Sequence, residues 1–214
     1  RIDSEVEIID LILDKVTDRT VLALIDTVTS PTGLRMPFER LVTELQEKGV
    51  DVLLDAAHGP GIVPLDLASL DVAYCTGNCH KWICTPKGSA FLHIREDRKS
   101  GVRPLVIGHG ASLEGSDQER FEFEFGWPGT QDPSPWLCIP KAIDHIGKMV
   151  DGGWSKIMHL NRDLVLRGRE VICDALGANP PVPESMVASI ASIEMPEGVE
   201  VGAMSMEGDP FHNF

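Results

Sequence analysis

"VDVLLDAAHGPG", residues 50–61, opens as a continuous apolar run and ends on an aspartate, a histidine and two glycines. A run of that length without alternation reads as a strand buried on both faces. Asp55 closes it, and the turn that follows carries His58, Gly59 and Gly61. Upstream, "VLALID" (21–26) has the same form, read as a strand covered on both faces, and leads into "TVTSPTG". Between the two runs, "PFERLVTELQEKG" (37–49) has Pro37 at a helix start and Gly49 at its end. "DVAYC" (71–75) and "SAFLHIR" (89–95) read as further strands. Strand–helix–strand units at this spacing predict an α/β protein with a mainly parallel sheet flanked by helices.

The flanks extend the pattern. "SEVEIIDLILDKV" begins with Ser4 and Glu7, the spacing of a capping box, and Ile8, Ile9, Leu11 and Leu13 supply an apolar face. Two helical stretches are expected at about 134–150 and 153–176, with Gly152-Gly153 between them. "PPVPES" (180–185) reads as a linker before one more strand, "VASIASIEM" (187–195).

Composition narrows the classes. The 214 residues include 33 acidic and 19 basic ones, a net charge of −14, so no basic surplus exists to neutralise nucleic-acid phosphates or an anionic membrane surface. No apolar run reaches the roughly 18 residues of a membrane span. The five cysteines (75, 79, 84, 138, 173) lack the paired spacing of a zinc site, and no metal is expected. Reduced thiols and a cytoplasmic location are the expectation.

In open α/β sheets, ligands gather at the carboxyl ends of the strands. Three expected loops there carry chemistry: "DTVTSPTG", "DAAHGPG" and "TGNCHKW". Asp55 and, 26 positions on, Lys81 can meet in one cleft. A lysine there can form a Schiff base, and the aspartate can keep a pyridinium nitrogen protonated. His58 and His80 would flank the same group. Each residue also has a plainer reading: Asp55 as a cap, Lys81 as a solvated loop lysine, the histidines as turn residues and the glycines as parts of a tight turn.

"DAAHGPG", "TGNCHKWICTPKGSAFLHIR" and "FEFGWPGTQDPSPWL" together resemble the class V aminotransferase family of pyridoxal-phosphate enzymes, and within it the isopenicillin N epimerase-like branch. The resemblance runs from about residue 20 to about 195. It implies the large domain of the aspartate-aminotransferase-like fold over 1–178, with its N-terminal part missing, and the start of a small C-terminal domain over 179–214. It implies pyridoxal 5'-phosphate as cofactor, Lys81 as the Schiff-base lysine and Asp55 as the partner of the pyridine nitrogen. It also implies His58 near the ring's phenolic oxygen, and His80 and Asn78 at phosphate-binding positions. Thr130 is implied to reach the phosphate of a neighbouring subunit in a homodimer with shared sites, and Thr29 to lie near the cofactor. An amino acid or small peptide is the implied substrate.

The chain departs from the family pattern in three places. The upstream phosphate turn and ring-stacking aromatic are not found, the arginine-bearing C-terminal domain is not reached, and Asn78 stands where many relatives have serine. The expectation is therefore a partial chain that, alone, binds the cofactor weakly and turns over no amino acid. Epimerase-like, carbon–sulfur lyase-like and cysteine desulfurase-like chemistry are all compatible with the motifs, as is a catalytically silent homologue that binds protein.

Overall fold

The computed structural model describes residues 1–196. Helix α1 (Glu5–Leu13) is followed by β1 (Leu22–Asp26), α2 (Phe38–Glu47), β2 (Asp51–Ala56), α3 (Leu67–Leu70), β3 (Tyr74–Asn78) and β4 (Ala90–Ile94). Four further helices complete the order: α4 (Asp117–Gly126), α5 (Ser134–Leu137), α6 (Ile139–Gly147) and α7 (Gly153–Leu176).

The strands form one sheet in the order β1-β2-β3-β4. β1, β2 and β3 run parallel, and β4 is antiparallel to β3. The antiparallel edge follows from the connection: residues 79–89 contain no helix, and a parallel return needs a crossover of a dozen residues or more. The sheet is therefore mixed, parallel over the three strands that lead to the candidate site.

One sheet face makes the core. α2 presents Phe38, Leu41, Val42 and Leu45, one helical stripe, and all four are fully buried. They pack with Ile9, Val52, Leu54 and Ala56 in a single cluster. Side chains of this size each contribute about 1.5–3 kcal/mol on full burial. Gly77 belongs to the same layer: a Cβ there would sit 2.5 Å from the Phe91 ring, so glycine lets the ring lie on the strand.

The opposite face departs from the sequence reading. "VLALID" is covered on one side only among the described residues: Ile25 is buried, whereas Leu24 is 67% and Leu22 49% exposed. Leu92, on the same face through its register with Thr76, is 49% exposed. The apolar run thus marks the strand correctly and overstates its cover.

Four smaller corrections follow. In α1, Ser4 accepts from the Glu7 amide at 3.3 Å, but the Glu7 carboxylate takes the Asp3 amide rather than that of Ser4. Its inward face is Ile8 and Ile9 with Ile12 and Leu13 packed beside them, and of the expected apolar residues Leu11 alone is exposed. The strand expected at 71–75 runs from Tyr74 to Asn78, because Asp71 takes a left-handed conformation that closes α3. The strand expected at 187–195 does not form. Val187 makes one isolated bridge to Leu34, and no neighbouring strand among the described residues offers a longer ladder. Met186, Val187 and Ala188 are nevertheless buried, and Ala188 joins the core cluster. Of the segment 179–214 expected to begin a small domain, residues 197–214 lie outside the described residues.

At the amino end of the sheet, Arg98 grips Asp51 with two hydrogen bonds of 2.7 and 2.9 Å, and Arg95 reaches the Asp71 carbonyl at 2.7 Å. The carboxyl ends of β1, β2 and β3 are left to the candidate site.

Candidate active site

Strand register aligns the tips. Asp26 pairs with Asp55, and Asp55 with Thr76, so these three side chains project on one face at adjacent strand ends. Asp26 ends an apolar run just as Asp55 does, a signal available in the sequence and not used there. Burial first, and then the charge of Asp55, push the Asp26 carboxyl above the usual aspartate range, while His58 opposes the shift. The residue after it, Thr27, is fully buried and donates both its amide (2.8 Å) and its hydroxyl (3.2 Å) to the Asp55 carbonyl. Thr27 thereby fixes the two strand ends against each other, a role that no sequence signal pointed to.

Asp55 is held from the far side as well. Its Oδ1 accepts from the Ala57 amide at 2.8 Å, and among the described residues Oδ2 has no hydrogen-bond partner. The turn then tightens through Gly59, whose amide donates to the Ala56 carbonyl at 2.9 Å. At Gly61, φ is +90° and a Cβ would meet the Trp82 carbonyl at 2.9 Å. Only glycine fits there without strain. The turn carrying His58 can therefore press against the segment carrying Lys81.

That segment hangs from one carbonyl. The amides of Cys79 (3.1 Å) and His80 (3.3 Å) and the His80 ring nitrogen Nδ1 (2.8 Å) all point to the Ser89 carbonyl. A carbonyl only accepts, so Nδ1 carries a proton and Nε2 remains for another contact. The buried Ser89 hydroxyl donates to the Pro86 carbonyl and bonds the Thr85 hydroxyl, closing the loop beneath. Cys84, in the left-handed region at φ 60°, bends the chain three residues after the lysine.

The result is a contact across 23 residues: Lys81 Nζ lies 3.2 Å from His58 Nε2, both half-buried. Lysine and histidine, from the loops that follow β3 and β2, meet at the carboxyl end of the sheet.

The other candidates are placed as follows. Asn78 ends β3, half-buried, on the face of Thr76. Thr29 is near the site in sequence, but its hydroxyl is used within its own turn, bonding Thr32 and accepting from the Leu34 amide at 3.0 Å. Thr130 lies in the exposed segment between α4 and α5 and is not brought to Lys81 within this chain.

The surrounding thiols are quiet. Cys75 is buried and its thiol is pushed up to about 12, by burial first and the Asp55 charge second; burial also raises Cys79. All five cysteines are unpaired. Among the described residues no group of three or more histidines, cysteines and carboxylates is placed to hold a metal ion, and no helix is long and apolar enough to cross a membrane.

Comparison with known proteins gives a consistent set of likenesses. The family model for aminotransferase class-V matches residues 3–178. Isopenicillin N epimerase of Amycolatopsis lactamdurans is 30% identical over 209 residues, which cover 92% of this chain and 52% of that protein. L-cysteine desulfhydrase of Arabidopsis thaliana is 33% identical over 190 residues, 86% of this chain and 40% of that one. Among solved structures, the apo cysteine desulfurase of Thermococcus onnurineus NA1 superposes with a TM-score of 0.68 at 20% identity, covering 82% of this chain and 44% of its own, a likeness of fold. The chain spans about half or less of the length of these proteins.

Proposed function

Because this chain belongs to the aminotransferase class-V family, whose members are pyridoxal 5'-phosphate-dependent, we propose that it acts at the α-carbon of an amino acid or small peptide in the manner of an isopenicillin N epimerase. The observation that carries this reading is the 3.2 Å contact between Lys81 and His58 above the strand tip that bears Asp55.

The residues present fit the cofactor. Lys81 offers an amine in a half-buried setting, and Asp55 offers an oxygen, Oδ2, without a partner among the described residues. His80 has one ring nitrogen committed and one available. When bound, pyridoxal phosphate supplies an electron sink for a carbanion at the substrate's α-carbon. Lys81 would hold it covalently, and Asp55 would keep its ring nitrogen protonated. His58 would face the ring oxygen, with His80 and Asn78 toward the phosphate. Thr29 would support this side from its turn.

Thr130 is exposed on its own chain, which suits a residue that completes a neighbour's site, and we read the working unit as a homodimer with shared sites. Residues 1–178 are read as part of the large domain and 179–214 as the start of a small one. The five unpaired thiols suit a cytoplasmic protein.

Carbon–sulfur lyase chemistry is the second reading, favoured by the 33% identity to a cysteine desulfhydrase. A desulfurase that uses Cys75 or Cys79 is disfavoured, since burial keeps both thiols protonated.

The deciding experiment uses protein expressed from the complete reading frame. Borohydride reduction after loading with pyridoxal phosphate should place the pyridoxyl mass on the Lys81 peptide; a label on Lys87 or Lys99 instead overturns the site. Exchange of the α-proton for deuterium without sulfide release supports epimerase-like chemistry, and sulfide release from cysteine supports the lyase.

A further inference from the structure

We propose that His58 is the proton acceptor for Lys81, the group that turns the lysine from an ammonium ion into a nucleophile. This rests on the reading of Lys81 as the covalent residue and adds the step that makes it one. A lysine ammonium has three donors and no acceptor, so at 3.2 Å from an imidazole nitrogen it can only donate. His58 Nε2 therefore presents its lone pair to Lys81, and the ring's own proton sits on Nδ1. Among the described residues Nε2 is the sole hydrogen-bond partner of Nζ.

The transfer is simple in balance. One N–H bond at Nζ breaks, its electron pair stays on Nζ as the nucleophilic lone pair, and an N–H bond forms at Nε2. The lysine becomes a neutral amine, the histidine becomes an imidazolium with both nitrogens protonated, and one positive charge moves across the contact.

The surroundings favour that displaced charge. Asp26 from the end of β1 and Asp55 from the end of β2 are register partners, and the Asp26 carboxyl responds to both Asp55 and His58. On the Lys81 segment, the neighbouring His80 has its Nδ1 proton directed to the Ser89 carbonyl. The two carboxylates offset an imidazolium whose formation in a half-buried site would otherwise be costly. The geometry is also held from both sides, by the close approach of Gly61 to Trp82 and by the Ser89 carbonyl that gathers Cys79 and His80. Lys81 and His58 are thus held as a donor–acceptor pair, in place before any cofactor arrives.

The test needs no cofactor. Trace acetylation with acetic anhydride, read by peptide mass spectrometry across pH, reports how readily each lysine acts as a nucleophile, and exposed Lys15 is the internal standard. The Lys81-to-Lys15 ratio should fall about tenfold or more in His58→Gln, whose amide oxygen can accept the hydrogen bond without taking the proton. The shape of the ratio's pH profile should change in the same variant. In His58→Ala, added imidazole should restore the ratio, which a residue that merely fills space would not permit. An unchanged ratio and profile in His58→Gln, or no rescue of a folded His58→Ala, overturns the proposal. Failure of the borohydride label to reach Lys81 would instead refute the cofactor assignment and leave the acetylation result standing by itself.

Discussion

Asp26 and Asp55 face each other in register across β1 and β2, so that two carboxylates share one edge of the sheet. Burial disfavours ionisation at Asp26, and the neighbouring like charge of Asp55 adds to the effect. The two acids are therefore unequal partners. Asp55 is braced by the Ala57 amide, and Asp26 carries the raised pKa.

That inequality gives a pH dependence. An acid whose folded pKa lies above its unfolded value costs nothing where both states are protonated. Its penalty develops as pH rises from the ordinary aspartate value, about 3.9, through the raised folded value. Asp26→Asn should therefore gain stability relative to wild type between pH 3 and pH 7, read from urea midpoints. A difference that stays flat or runs the other way would show that Asp26 is not destabilised by its neighbours.

Asp55→Asn should leave the fold intact and cripple proton chemistry at the substrate. An amide cannot keep a pyridine nitrogen protonated, so a rate loss on the order of 10²-fold, about 3 kcal/mol, is expected. Deuterium exchange at the α-carbon measures it, with circular dichroism as the check on folding. Near-normal exchange would reduce Asp55 to a turn residue.

Thiol labelling should separate the cysteines around Lys81. Cys84 is exposed, whereas Cys75 and Cys79 are buried with raised pKa values. Iodoacetamide at neutral pH should modify Cys84 first, and Cys75 only after urea unfolds the chain. Early modification of Cys75 would contradict its burial.

Gly77→Ala should cost about 1–3 kcal/mol, because the new methyl group would press on the Phe91 ring. Phe91→Leu in the same chain should recover part of the loss, measured by chemical denaturation. Strict additivity of the two changes would mean that the contact does not carry the effect.

A mixture of Lys81→Ala and Thr130→Ala chains tests the shared site. Heterodimers would contain one site with both lesions and one with neither, so partial activity should return. Proven subunit exchange without recovery would place Thr130 outside the site.

Much of this arrangement can be read in the residues themselves. Apolar runs that end in Asp26 and Asp55 announce parallel strands with polar tips, and the 3.6-residue stripe of α2 announces the layer beneath. Lys81 and Asp55 could be proposed to share one cleft, flanked by His58, because adjacent strands deliver them to one end. What the letters do not encode is cover: "VLALID" looks the same whether one face or two are packed. Nor do they encode contacts made through the backbone. The Ser89 carbonyl that gathers Cys79 and His80 belongs to every residue type alike, and "VASIASIEM" has strand composition without a ladder to join. The role of Thr27 is equally hidden, since a threonine in a loop becomes a brace only when the carbonyl 28 residues away arrives beside it.

The sheet separates its labours by direction. Asp51 opens β2 in the grip of Arg98, and Asp55 stands one residue before the end of the same strand with an oxygen to spare. An ion pair lies at one end and the candidate chemistry at the other, with the length of β2 between them. An engineer could therefore rework the arginine corner to make the protein hardier or more fragile and leave the reacting end as it was. Natural drift has the same licence, since residues at the tips can change while the arginine corner stays as it is.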